Sequence, residues 1–168
     1  MSLPREILAK YMTTHCHLFI ETGTKWGDTA IRAAELGADK VITIEGDSEM
    51  FQIAHDHVKD AAPWADIEVR YGDSAPQLRK LDRDVFAAGR VIVFLDAHTE
   101  SESFVHEELD AIFSWNYLPD VILIDDISLM RAWSVNPLDL ETRLLERGYK
   151  ISYENGRGVS DILVGVIK

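Results

Sequence analysis

The sequence predicts a doubly wound α/β domain: a seven-stranded, mainly parallel sheet with helices on both faces and an antiparallel last strand. Three observations predict it. Short apolar runs alternate with helix-like stretches five times along the chain. Two of the runs, Val91-Ile92-Val93-Phe94-Leu95 and Val121-Ile122-Leu123-Ile124, are continuously apolar and rich in β-branched residues, which suits central parallel strands covered on both faces. The last two runs are joined by a glycine-rich loop, residues 154–161, with no room for a crossover helix, so they should be antiparallel neighbours.

The elements follow in order. Strands are expected at 17–21, 41–45, 67–71, 91–96, 121–125, 149–153 and 162–167. Helices are expected at about 28–36, 48–60, 75–83, 101–113 and 137–147. Asp28 or Thr29 can cap the first helix, and Gly37 can end it. Ser48 precedes the second, whose apolar positions are Phe51, Ile53, Ala54 and Val58. Gly148 closes the last. No repeat, low-complexity tract or linker interrupts the pattern, so residues 1–168 read as one domain.

Composition removes several classes of function. The net charge is −12, from 29 acidic and 17 basic residues, and no Lys/Arg run offsets it. Such a surface repels a polyphosphate backbone, so no nucleic-acid partner is expected. No apolar run approaches the ~20 residues that span a bilayer. The first fifteen residues lack the apolar core of a signal peptide. No membrane partner is expected, and a cytoplasmic location is the default. Cys16 is the one cysteine, which excludes an internal disulfide. A small-molecule ligand is the partner class that remains.

In open α/β sheets, ligands sit beyond the carboxyl ends of the strands. Here those ends are rich in acids. The first strand runs into Glu21-Thr22-Gly23-Thr24-Lys25-Trp26-Gly27 and the second into Glu45-Gly46-Asp47. The third runs into Gly72-Asp73-Ser74, the fourth into Asp96-Ala97-His98 and the fifth into Asp125-Asp126. Gly23 and Gly27 would let the backbone approach a ligand, and the helix beyond them offers free N–H groups. The spacing is G-x-x-x-G, and Glu21 stands where a dinucleotide-binding turn has its first glycine. An acid there repels a pyrophosphate and suits an ammonium group. Glu45 is placed to accept both hydroxyl hydrogens of a ribose. Taken alone, the turn also reads as a plain tight turn with a capping acid. Asp73 likewise reads as ordinary turn chemistry.

Together these residues resemble the class I S-adenosylmethionine-dependent methyltransferases. The stretch from Phe19 to Gly27 is similar to their first motif, E-x-G-x-x-x-G. Glu45 is similar to their ribose-binding acid, and Gly72-Asp73-Ser74 to the motif whose acid meets the adenine. The antiparallel final pair also fits that fold. The resemblance implies a cofactor, S-adenosylmethionine. Glu21, Gly23 and Gly27, with Thr22 and Thr24 in the same turn, would position its methionine part. Glu45, beside Gly46, would hold the ribose, and Asp73 and Ser74, after Gly72, would face the adenine. Asp96 would lie near the sulfonium methyl.

Within that superfamily, Leu95-Asp96-Ala97-His98 and Ile124-Asp125-Asp126 resemble the metal-dependent O-methyltransferases of the macrocin type. The resemblance implies a divalent cation, such as Mg²⁺, on Asp96, Asp125 and Asp126. It gives Asp96 and His98 the catalytic positions, with His98 as general base for a substrate hydroxyl. Crowded carboxylates need such a countercharge, and oxygen ligands suit Mg²⁺, Ca²⁺ or Mn²⁺. Ala97-His98 departs from the family's usual acidic continuation. A second departure is the short chain. Its relatives build substrate lids before the first strand and between the last two. The acceptor wall is therefore expected in residues 128–136, after the fifth strand. A domain without a lid also leaves room for a homodimer.

Other features read as structural. His15-Cys16-His17 enters the first strand and reads as packing. His55 and His57 lie two apart on a helix, on different faces. His106-Glu107-Glu108 reads as a solvated helix face. Among the tryptophans, Trp26 and Trp133 lie nearest the ligand edge, while Trp64 and Trp115 read as core or rim. Two rival functions remain. One is an NAD-dependent oxidoreductase, disfavoured by the missing first glycine and the lack of a tyrosine–lysine hydride site. The other is a non-catalytic methyltransferase-like binding domain, for which the missing lid is the best support.

Overall fold

The computed structural model describes residues 3–82, 89–156 and 161–167. Seven strands form one sheet: β1 (Cys16–Thr22), β2 (Ala38–Glu45), β3 (Ile67–Tyr71), β4 (Val91–Leu95), β5 (Val121–Ile124), β6 (Tyr149–Glu154) and β7 (Ile162–Ile167). Their order across the sheet is β3-β2-β1-β4-β5-β7-β6. The first five are parallel, and β7 inserts antiparallel between β5 and β6. The expected doubly wound sheet with an antiparallel last strand is what forms. The order reverses between β1 and β4, so the crevice for a ligand opens there.

The strands carry two apolar faces because side chains alternate along them. On one face Leu18, Ile20, Ile42, Ile44, Val93, Leu95, Ile122 and Ile124 meet α4 (Ser74–Arg79), α5 (Val105–Phe113) and α6 (Pro137–Glu146). On the other, Phe19, Val41, Ile92, Phe94, Val121 and Leu123 meet α1 (Arg5–Tyr11) and α2 (Asp28–Glu35). The remaining helix, α3 (Ser48–Ala61), lies alongside α2 against β2 and β3.

Helix boundaries differ from expectation in instructive ways. Gly27, with φ +84°, is the N-cap of α2, so Asp28 is its first residue and neither Asp28 nor Thr29 caps it. Asp47, and not Ser48, caps α3, its carboxylate accepting from the N–H groups of Glu49 and Met50. α5 starts at Val105 and not near 101, because His98 and Ser103 pair in a short bridge first. Residue 83 of the expected third helix and residues 157–160 of the final loop lie outside the described residues. The N-terminal α1 was not expected. Its Ile7, Leu8 and Tyr11 close the second core, and its Lys10 and Tyr11 both reach Glu154 on β6. No helix among the described residues is long and apolar enough to cross a membrane.

Tyr149 ties the antiparallel end to the rest. Its ring is fully buried, and its hydroxyl donates to the Pro119 carbonyl at 2.8 Å. Tyr149→Phe should lower stability by about 1 kcal/mol, because it strands a buried acceptor. Tyr149→Ala should cost about 4 kcal/mol through the added cavity. Urea unfolding midpoints at constant slope measure both.

Candidate functional site

The site is built where β1, β2 and β4 end. Beyond β1 the chain folds back under three positive φ values, at Gly23, Lys25 and Gly27. Gly23 donates to the Ile44 carbonyl, and Asp96 donates to the Thr22 carbonyl, so the turn is pinned to both neighbouring strands. A Cβ on Gly23 would stand 2.5 Å from the Asp96 carbonyl oxygen, and one on Gly27 2.7 Å from the Val58 side chain. Both glycines therefore answer to close approach within the protein as well as to backbone conformation.

Glu21 lies beneath this turn, 2 % exposed, where its carboxylate accepts from the Thr43 hydroxyl at 2.8 Å. Thr43 also bonds Thr24 across the same crevice. Burial pushes the Glu21 carboxyl up to about 8, and nearby Asp96 adds to the shift. Thr22 points to the opposite face and is fully buried.

Glu45 holds the turn from the side. One carboxylate oxygen accepts from the Lys25 N–H at 2.8 Å and the other from the Asp47 N–H at 3.0 Å. Each oxygen keeps a second lone pair for a ligand hydroxyl. Gly46 follows in the exposed bend. Gly72, at φ +131°, is bound to the Glu45 carbonyl and turns the chain into α4. Asp73 is exposed and makes no side-chain cap bond to α4, whereas Ser74 is buried.

Past β4, a pocket is lined by Asp96, His98, Glu108, Asp125, Met130 and Trp133, among others. Met130 and Trp133 come from the 3-10 turn Met130–Trp133, inside the segment expected to form an acceptor wall. His98 Nε2 lies 3.3 Å from Asp126 Oδ2 and 3.8 Å from Asp96 Oδ1. The Trp133 ring stacks on the imidazole at 4.7 Å. Burial, then the charge of Asp125, push the Asp96 carboxyl well above the usual carboxylate range. Burial likewise moves Asp125 up to about 6. The bond to Asp126 raises His98 above its ordinary value.

Donor atoms of Asp96, His98 and Asp126 all lie within 4.8 Å of one another, as do those of Asp125, Asp126 and Asp161. The structure thus brings Asp96 and Asp126 together with His98, and sets Asp125 beside Asp161. Asp161 was not singled out in the sequence, because it lies at the far end of the final loop. A third trio, His15, His17 and Asp39, sits at the opposite edge of the sheet. There His15 pairs with Asp39 and His17 accepts the Arg90 N–H, while Cys16 is buried.

Glu108 corrects the reading of His106-Glu107-Glu108 as a solvated face. It is 1 % exposed, and its Oε1 has no hydrogen-bond partner. The signal was present: Val105, Glu108, Leu109 and Ile112 follow the i, i+3, i+4, i+7 stripe that a helix buries. Trp115 is core, with its Nε1 donating to the Leu78 carbonyl. Trp26 and Trp64 are exposed.

Solved structures share this architecture. The S-adenosylmethionine complex of TomG, an O-methyltransferase from Streptomyces achromogenes involved in tomaymycin synthesis, superposes with a TM-score of 0.75 at 18% identity, covering 98% of this chain and 79% of that one. An O-methyltransferase from Bacillus cereus in complex with SAH gives 0.71 at 18% identity, over 98% and 80%. The SAH-bound Podospora anserina methyltransferase PaMTH1 gives 0.71 at 14%, over 97% and 76%. The chain has the class I methyltransferase fold. No family profile and no curated protein matches it.

Glu108 gives the methyltransferase fold a measurable pH dependence. Burial raises its carboxyl to about 7 from 4.5, against smaller opposing effects of Ser74 and Thr22. A folded-state value above the unfolded one means that the folded protein holds the proton more tightly. The resulting stability is present below about 4.5 and lost as pH rises through about 7. Glu108→Gln should therefore gain up to about 3 kcal/mol on the wild type between pH 5 and 8. Chemical denaturation across that range measures the difference.

Proposed function

We propose that this chain is an S-adenosylmethionine-dependent methyltransferase acting on a hydroxyl of a small molecule, with a divalent cation at the acids that close β4 and β5. The observation that carries the reading is the acid-lined crevice at the switch point: the glycine turn after β1, braced by Glu45 and pressed against the start of the Asp96 loop. A cofactor with a sulfonium and an ammonium group suits an edge crowded with buried carboxyls, and a pyrophosphate does not. The macrocin-type O-methyltransferases are the subfamily this site resembles most. The named O-methyltransferases among the solved structures of the same fold support oxygen as the acceptor atom.

The residues divide the work by position. The Glu21 carboxyl, at the base of the turn, would ionise as the ammonium group of the cofactor's amino-acid end binds above it. Glu45 keeps lone pairs for the ribose hydroxyls while bracing the Lys25 and Asp47 amides. Asp73, unused as a cap, is free for the adenine. When bound, S-adenosylmethionine supplies an electrophilic methyl carbon. Asp96, beside Gly23, stands where that carbon and the acceptor would meet. Asp96, Asp125 and Asp126 give this edge the negative charge that would draw a divalent cation, which would lower the pKa of an acceptor hydroxyl and orient it. Met130 and Trp133 form the wall against which the acceptor rests. Alignment of the acceptor oxygen with the methyl carbon is the main catalytic contribution.

Calorimetry with S-adenosylmethionine tests the reading directly. One site per chain is expected, and Glu45→Ala should weaken it at least about tenfold, near 1.4 kcal/mol. Asp96→Asn should abolish turnover of any accepted substrate while leaving the fold intact by circular dichroism. Binding of NAD without binding of S-adenosylmethionine would decide for an oxidoreductase instead. Binding without any Asp96-dependent methyl transfer would favour a ligand-binding domain.

A further inference from the structure

We infer that His98 is a metal ligand: its Nε2 joins an oxygen from each of Asp96 and Asp126 in holding one divalent transition-metal cation, with Asp125 outside that set. The inference rests on the reading that this edge carries a divalent cation, but its test needs no methyl transfer.

The tautomer of His98 is fixed by its surroundings. Nδ1 lies 3.0 Å from the Thr99 carbonyl, and a carbonyl can only accept. Nδ1 therefore carries a ring hydrogen, and Nε2 is turned toward two carboxylates, at 3.3 and 3.8 Å. In the metal-free chain a hydrogen on Nε2 bridges that space to Asp126, and a divalent cation that displaces this proton meets the Nε2 lone pair and both carboxylates together. Metal-bound histidines are held in this way, with the other ring nitrogen donating to a backbone carbonyl. The separations of 3.3 and 3.8 Å fall between the ~3.0 Å of ligand atoms at right angles and the ~4.2 Å of opposite ones around an ion with bonds of about 2.1 Å.

The ring is also held in place. Trp133 stacks against it at an interplanar angle of 23°. The loop that carries it is closed by the His98–Ser103 bridge and by the Thr99 N–H donating to the Glu102 carbonyl at 2.8 Å. Asp126 is buried and adopts φ +54°, the left-handed region that Asp enters more readily than most side-chain-bearing residues. Asp125 uses Oδ1 to accept the Asp126 N–H at 2.9 Å, and the trio it joins is that of Asp126 and Asp161.

His15, His17 and Asp39 provide the contrast. They are as close together, but His17 Nδ1 accepts the Arg90 N–H at 3.0 Å. In that neutral ring Nε2 carries the hydrogen, and no lone pair remains for an ion. Proximity is shared by the two trios, whereas ligand chemistry belongs to His98.

Two consequences follow. An imidazole nitrogen among carboxylates shifts preference from Mg²⁺ and Ca²⁺ toward Mn²⁺, Co²⁺ or Zn²⁺. A nitrogen bound to the ion also cannot accept the proton of an acceptor hydroxyl, so His98 would not be the general base. The test uses the full chain stripped by a chelator, with Mn²⁺ as probe. Calorimetry should show one Mn²⁺ site at least about tenfold tighter than Mg²⁺. Pulsed electron paramagnetic resonance of the bound Mn²⁺ should show coupling to a directly ligated ¹⁴N nucleus, a readout made on the wild type alone. His98→Gln and His98→Ala should remove the coupling and weaken Mn²⁺ about 10- to 100-fold. Asp125→Asn should weaken it less than Asp126→Asn. Mn²⁺ bound without nitrogen coupling, no Mn²⁺ binding, or Mg²⁺ bound as tightly as Mn²⁺ overturns the inference. S-adenosylmethionine calorimetry on the same protein reports separately on the methyltransferase reading.

Discussion

The contact between Gly23 and the Asp96 carbonyl is the constraint on which the candidate site depends. It lets β1 and β4 run side by side to the last residue, and only a residue without Cβ permits it. With the two strands that close, the turn after β1 overhangs the loop after β4. Glu21 is sealed beneath the turn, and Asp96 is brought to the rim of the pocket. Glu45 fixes the turn from the β2 side through two backbone amides. The crevice at the switch point is thus assembled by backbone geometry before any side chain meets a ligand.

The electrostatic cost of that assembly is visible. Burial holds Glu21 near 8 and Glu108 near 7 and raises Asp96 and Asp125. Carboxyls of this kind either keep a proton or need a cation, and both choices weaken folding near neutrality. Glu108 is the clearest case, since it occupies a position on the stripe of α5 that an aliphatic residue would fill without penalty. A chain that accepts this cost at one edge, and packs aliphatic side chains elsewhere along the sheet, has its destabilising groups where a cationic ligand can offset them.

The strands were legible because parallel strands covered on both faces must be apolar without interruption, as 91–95 and 121–124 are. The acids that follow them were legible for a related reason: topology sends every parallel strand end to the same edge. What could not be read was direction at short range. Whether Gly23 and Gly27 make room for a ligand or for the protein depends on where Asp96 and Val58 come to rest. Glu108 was misread from its charge, although its position on the helical stripe pointed inward. Asp161 joins Asp125 and Asp126 only through the β5–β7 pairing, which a linear scan does not bring together. The cap of α3 is Asp47, whose carboxylate accepts two amides, a choice that Ser48 beside it left open in the sequence.

The acceptor wall and the acids after β4 read as separate features in the sequence, and the structure joins them. Trp133, in the wall, donates to the Glu100 carbonyl and stacks on His98. Ser134 leaves that turn at φ +61°, and the Val135 N–H returns to the Met130 carbonyl at 2.9 Å, which closes the turn that carries the indole. An acceptor lying on Trp133 would therefore press on the same ring that faces Asp96 and Asp126. If an acceptor bound at Trp133 and a cation at the carboxylates, as proposed, the two would share one side-chain contact, through which occupancy of one would alter affinity at the other. The ordering of the 98–103 loop, which carries His98, would be common to both.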